Sequence, residues 1–150
     1  PFTEAEFDLI WAEGSIYIIG LERGIKEWRK FLKPNGYLVI SDVAWLHAAV
    51  PDELRRFWEQ EYPGMDSLEN NLALIRQLGL EVKQYFKLPE VAWWDNFYQP
   101  LQQRINTLRQ DHRDNHDMTE ALDMVQTEID MYLRYSQFYG YIFYILQKKT

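Results

Sequence analysis

Hydrophobic positions along the chain follow two periods. Phe7 to Ala12, "FDLIWA", is a nearly continuous apolar run ended by Glu13-Gly14-Ser15. It reads as a strand buried on both faces, as in a parallel sheet. Leu21, Ile25, Trp28 and Leu32 then recur at helical spacing, and Lys33-Pro34-Asn35-Gly36 stops that helix. Tyr37 to Asp42, "YLVISD", is a second buried strand, rich in β-branched residues. Strand, helix and strand with short links predict a right-handed parallel crossover.

Pro51 opens "PDELRRFWEQEY", a helix with proline in its first turn and early acids. Asp66 or Ser67 caps the next helix, "LENNLALIRQLG", which ends at Gly79. Glu81 to Pro89 alternates loosely and reads as a third strand. Two helices follow, Trp94 to about Gln110 and Thr119 to Tyr135, the second capped by Thr119. Tyr139 to Lys149 is a strong last strand. The predicted order is β-α-β-α-α-β-(α-α)-β, with two parallel strands first and an antiparallel pair last. No internal repeat, low-complexity tract or Pro/Gly/Ser linker interrupts it.

Composition narrows the function classes. At 150 residues the chain fits one domain or a large piece of one. Hydrophobic residues at 47% and aromatic residues at 16% make it globular rather than disordered. The formal charge of −7, without a basic run, argues against nucleic acid and against an anionic membrane surface. With no cysteine, disulfides, thiolate metal sites and cysteine nucleophiles are excluded. No apolar run reaches the roughly 20 residues that span a bilayer, and the N-terminus does not resemble a signal peptide. The expected location is the cytoplasm.

Taken together, "FDLIWAEGSIY" and "LERGIKEWRKFLKPNGYLVISD" resemble the second half of a class I S-adenosylmethionine-dependent methyltransferase domain. In that family a strand reading "FDLI" leads to a loop at the cofactor's methionine end. An "LKPGG"-like turn, here Leu32 to Gly36, precedes the next strand. The resemblance is strongest over about the first 45 residues and extends by topology to the end. It implies an α/β fold: half of a doubly wound, Rossmann-like sheet, mixed, with an antiparallel terminal pair. Residues 1–150 would form the C-terminal part of one methyltransferase domain, with a helical insertion at about 91–136. The family's glycine-rich cofactor loop and ribose-binding acid precede everything seen here. The seven glycines never form G-x-G-x-x-G after a strand. The sequence therefore reads as starting at the family's fourth strand, with one apolar edge of Phe7–Ala12 unpaired. That edge predicts a homo-oligomer or a rearranged edge, with the helical insertion as a second possible interface.

The resemblance also ranks candidate residues. Ala12 and Glu13 stand at the carboxyl end of the first strand, where open α/β sheets bind ligands. Glu13 suits the cofactor's ammonium or an acceptor proton. Tyr17, on the same loop, offers an aromatic face to an acceptor or a sulfonium. Asp42, Trp45 and His47 are expected just past the second strand on the same rim, with His47 as general base. Trp94 and Tyr98, within "VAWWDNFY", fall where the family often carries an acceptor lid, though aromatic residues at helical spacing also pack ordinary cores. Asp8, inside its strand, suits a local hydrogen-bond network. His112 and His116 are four apart in "DHRDNHD", but that stretch is polar throughout and reads as a solvated connection, so no metal is expected. The acids Glu120, Asp123, Glu128 and Asp130 read as solvated surface.

Three functions of different class follow. The first is methyl transfer from S-adenosylmethionine to a small-molecule acceptor, with the cofactor loop absent from this chain and the chain alone inactive. The second is a non-catalytic oligomerisation or binding module on a Rossmann-like half-domain. The third is a nucleotide-binding domain of the dehydrogenase type, which requires a parallel last strand.

Overall fold

A computed structural model describes residues 2–149. Four strands, β1 (Phe7–Ala12), β2 (Leu32–Trp45), β3 (Leu80–Lys87) and β4 (Tyr139–Lys148), form one sheet in the order β1-β2-β4-β3. β1 and β2 are parallel, while β4 runs antiparallel to both β2 and β3. The last strand thus inserts between β2 and β3 as the one reversed strand among those described. The parallel last strand that a dehydrogenase-type sheet requires is not found.

The period of two sets what each face meets. Leu38, Ile40 and Ala44 of β2 share a face with Leu146, Tyr144 and Ile142 of β4. They pack with Ile16, Leu21, Ile25, Leu72 and Ile75 in one core. Those partners come from a 3-10 turn (Ile16–Ile18), α1 (Leu21–Trp28) and α3 (Leu68–Gln77). Burying each such side chain contributes about 1.5–3 kcal/mol. Ser67 caps α3, accepting the Asn70 N–H at 3.1 Å. A further helix, α2 (Asp52–Glu61), sets Trp58 edge-on to Tyr139 at 5.2 Å.

Several boundaries differ from the sequence reading. β1 is not buried on both faces. Ile10 and Ala12 pack against the core, but Leu9 and Trp11 are 48% and 60% exposed. β1 has one strand neighbour, and only its Ile10/Ala12 side meets the helical layer. α1 stops at Trp28, short of Leu32, which is fully buried and begins β2. The Arg29 guanidinium, just past the helix, donates to the Leu78 carbonyl. The Lys33–Gly36 turn becomes an excursion within β2: Phe7 pairs with Leu32, but Leu9 pairs with Tyr37. Asn35 takes a positive φ of 64° there, and Lys33 meets Asp8 Oδ2 at 2.7 Å.

Contacts divide the chain into two units, one running to Lys87 and resuming at Gln137, the other being Leu88–Ser136. The second unit holds α4 (Glu90–Trp93), a π-helical turn (Trp94–Tyr98), α5 (Gln99–Asp111) and α6 (His116–Tyr135). The π turn lets Trp93 and Tyr98, five residues apart, stack at 5.7 Å. Tyr132 of α6 packs on both, at 4.7 and 4.8 Å. Gln102 and Gln126 exchange two side-chain hydrogen bonds, at 2.6 and 2.8 Å. Asp123 accepts from Arg109 at 2.5 Å and Glu128 from the Tyr98 hydroxyl at 2.7 Å. Two of the acids expected to be merely solvated therefore tie this unit together. Asn115, not Thr119, caps α6 by accepting the Met118 N–H at 3.0 Å. Thr119 lies within the first turns, its hydroxyl donating to the Asn115 carbonyl.

Candidate functional site

The carboxyl ends of β1 and β2 lie side by side because the strands are parallel. Past β1 the Glu13–Ser15 loop is held from the neighbouring strand: the Gly14 N–H donates to Ser41 Oγ at 2.8 Å. Gly14 adopts φ 54°, a left-handed conformation that glycine takes without a Cβ clash. The exposed Glu13 carboxylate accepts from the Trp11 indole at 2.5 Å. Ala12 is half-buried above the core. Ile16, fully buried, anchors the far side of the loop.

Asp42 is inside β2, not past its end, and only 2% exposed. The strand continues to Trp45 because β4 pairs with it through Tyr139. Oδ1 of Asp42 accepts the Val43 N–H and Oδ2 accepts the Tyr62 hydroxyl, both at 3.0 Å. Burial raises its pKa from the ordinary 3.8 to about 6, and the two hydrogen bonds oppose that rise. Burial, then the charge of Asp42, push the Tyr62 phenol upward. Tyr17 is 45% exposed and sets its ring edge-on to Tyr62 at 6.0 Å. Tyr17 and Asp42 are thus brought together through Tyr62, a residue that the sequence reading passed over. Beside them the Asn71 amide donates to the Tyr144 hydroxyl at 3.3 Å. The sign of Asn71 in the sequence is its place on the apolar stripe of α3, between Leu68 and Ile75.

Trp45 and His47 line a separate cleft of about 470 Å³, with α3 and Tyr85. His47 is exposed and packs its ring against Phe138 at 5.8 Å. The Arg55 guanidinium sits 5.9 Å from the Trp45 ring. Trp94 and Tyr98 belong to the helical unit. Tyr98 is fully buried there with its hydroxyl on Glu128, and Trp94 stacks on Tyr132 at 6.4 Å. His112 follows the last residue of α5 while His116 begins α6. Among the described residues no group of three or more His, Asp or Glu is placed to hold a metal. No helix among them is long and apolar enough to cross a membrane.

No family model and no curated protein matches the sequence. Solved structures do match its fold. A methyltransferase from Geobacter sulfurreducens, dependent on S-adenosylmethionine and solved with S-adenosyl-L-homocysteine, aligns with TM-score 0.78 and 16% identity, over 99% of this chain and 61% of its own. Phosphoethanolamine N-methyltransferase 2 from Haemonchus contortus aligns with TM-score 0.71 and 16% identity, over 100% of this chain and 35% of its own. The 4+2 cyclase SpnF aligns with TM-score 0.72 and 20% identity, over 100% and 52%. The chain thus spans between about a third and three fifths of these neighbours' length. A cyclase among them shows that one fold serves more than one chemistry. The described residues have the fold of part of a class I S-adenosylmethionine-dependent methyltransferase domain.

Proposed function

We propose that this chain is the C-terminal, acceptor-side part of a methyltransferase domain that transfers a methyl group from S-adenosylmethionine to a small-molecule acceptor. The observation that carries the reading is the sheet order β1-β2-β4-β3 with only β4 reversed. With it comes a loop fixed at the carboxyl end of β1 by Ser41. The cofactor fits in part. Glu13 offers an exposed carboxylate to an ammonium at the methionine end. Nothing among the 150 residues supplies a glycine-rich loop for the rest of the molecule. When bound, the cofactor supplies an electrophilic methyl on a sulfonium. The chain's own residues position the acceptor: Tyr17 presents a ring face and Asp42, through Tyr62, a buried acid. His47, on the neighbouring cleft, is the candidate for taking a proton.

The test is calorimetric titration of S-adenosylhomocysteine into the 150 residues and into the chain extended upstream. Binding by the extended chain, lost about tenfold or more in Glu13→Ala, supports the reading. Binding by neither rejects it.

The exposed Leu9 and Trp11 beside the unpaired edge of β1 favour a second reading, self-association without catalysis. A dimer in sedimentation that ignores cofactor would move the assignment there.

A further inference from the structure

We propose that the cleft between the end of β2, one face of α3 and Tyr85 binds a small ligand through an anionic oxygen group, a carboxylate or a phosphate. Trp45, His47, Ser67, Leu72, Arg76 and Tyr85 all line it. Arg76 and Leu72 stand four apart on α3 and so share a helix face, which sets the guanidinium beside an apolar floor. Among the described residues no carboxylate pairs with Arg76. His47 and the Tyr85 hydroxyl are further donors at the same cleft, and Tyr85 is 45% exposed. Arg55 stands 5.9 Å from the Trp45 ring, outside the residues that line the cleft.

One carboxylate opposes them. Glu69 also lines the cleft, in the first turn of α3. It is seven residues from Arg76, about 10 Å along the helix axis. At that separation it leaves the Arg76 end positive. A chain of net charge −7 repels anions at long range, so it is the planar Arg76 guanidinium, with the donors beside it, that selects for an oxyanion at short range. The shared chemistry does not depend on the methyl-transfer reading and needs no cofactor.

Inorganic phosphate and acetate are titrated separately into the protein and followed by amide NMR. The expected result is saturable binding of at least one anion, with shifts confined to residues 45–48, 67–72, 76 and 85. Arg76→Gln weakens it by about tenfold or more, and Glu69→Gln tightens it a few fold by removing like charge. Phosphate alone assigns the cleft to a phosphorylated ligand, acetate alone to a carboxylate. Three results overturn the site: no saturation with either anion, shifts centred elsewhere, or Arg76→Gln and Glu69→Gln both binding as the parent does.

Discussion

The Tyr62 hydroxyl donates to Asp42 Oδ2 at 3.0 Å and so joins the end of α2 to the C-terminal part of β2. Asp42 has a folded pKa of about 6 against an ordinary 3.8. The folded protein therefore binds more protons than the unfolded chain between those values. Asp42's contribution to stability is fully present below about pH 4, is lost as pH rises through about 6, and is flat beyond, a difference of about 2–3 kcal/mol. Denaturant midpoints for the parent and Asp42→Asn from pH 4 to 8 measure this. Asp42→Asn should flatten that fall.

Tyr62→Phe removes a donor from a carboxylate that is charged at neutral pH. The expected loss is about 1–3 kcal/mol at pH 8. It should be smaller at pH 4, where the carboxyl is neutral. A loss independent of pH would mean that the phenol acts only through packing.

Gly24→Ala should destabilise the fold although alanine is the better helix former. An added Cβ would lie 2.7 Å from Ile16 Cγ1 and 2.9 Å from its Cδ1, and Ile16 is fully buried. Overpacking of about 1–3 kcal/mol outweighs the roughly 1 kcal/mol of helix propensity gained. Thermal melts of Gly24→Ala, Ile16→Ala and the pair test the cause, since alanine at position 16 removes both Ile16 carbons that the added Cβ would meet. The pair should be less damaged than the two losses summed.

Gln102 and Gln126 satisfy each other reciprocally. A double-mutant cycle with alanine at both positions should give a coupling of about 0.5–1.5 kcal/mol. Each single change already breaks both bonds of the pair, while Gln126 keeps its bond to Asp130, so the singles together should cost more than the double.

Leu9→Lys with Trp11→Lys places charge on the open side of β1. If the chain self-associates through this edge, sedimentation should show less of it, with the melting temperature little changed, because neither side chain packs in the core. Unchanged association would shift the interface away from this edge.

Much of this fold was legible in the sequence. Apolar runs marked all four strands, and "LKPNG" marked the turn that became an excursion within β2. What escaped notice depended on long-range pairing. β2 extends to Trp45 only because β4 lies against it, so Asp42 moved from an expected rim to a buried interior. Leu9 and Trp11 looked like core because residue type does not tell which face of a strand is covered. The Tyr62–Asp42 and Gly14–Ser41 contacts join residues 20 and 27 positions apart, beyond any local pattern. Asn71 was readable in principle, as a polar residue on an apolar helical stripe.

The position of β4 also governs the order of assembly. β2 and β3 share no hydrogen bonds; each reaches the other only through β4. β4 is made after the entire helical stretch Leu88–Ser136. During synthesis β3 has no strand to pair with, and one side of β2 stays open until Tyr139–Lys148 emerges. Closure of the sheet is thus a late event of high sequence separation, with apolar strand edges exposed meanwhile. The helical stretch holds contacts that are mostly local, so it is free to form first and shorten the distance the last strand must search.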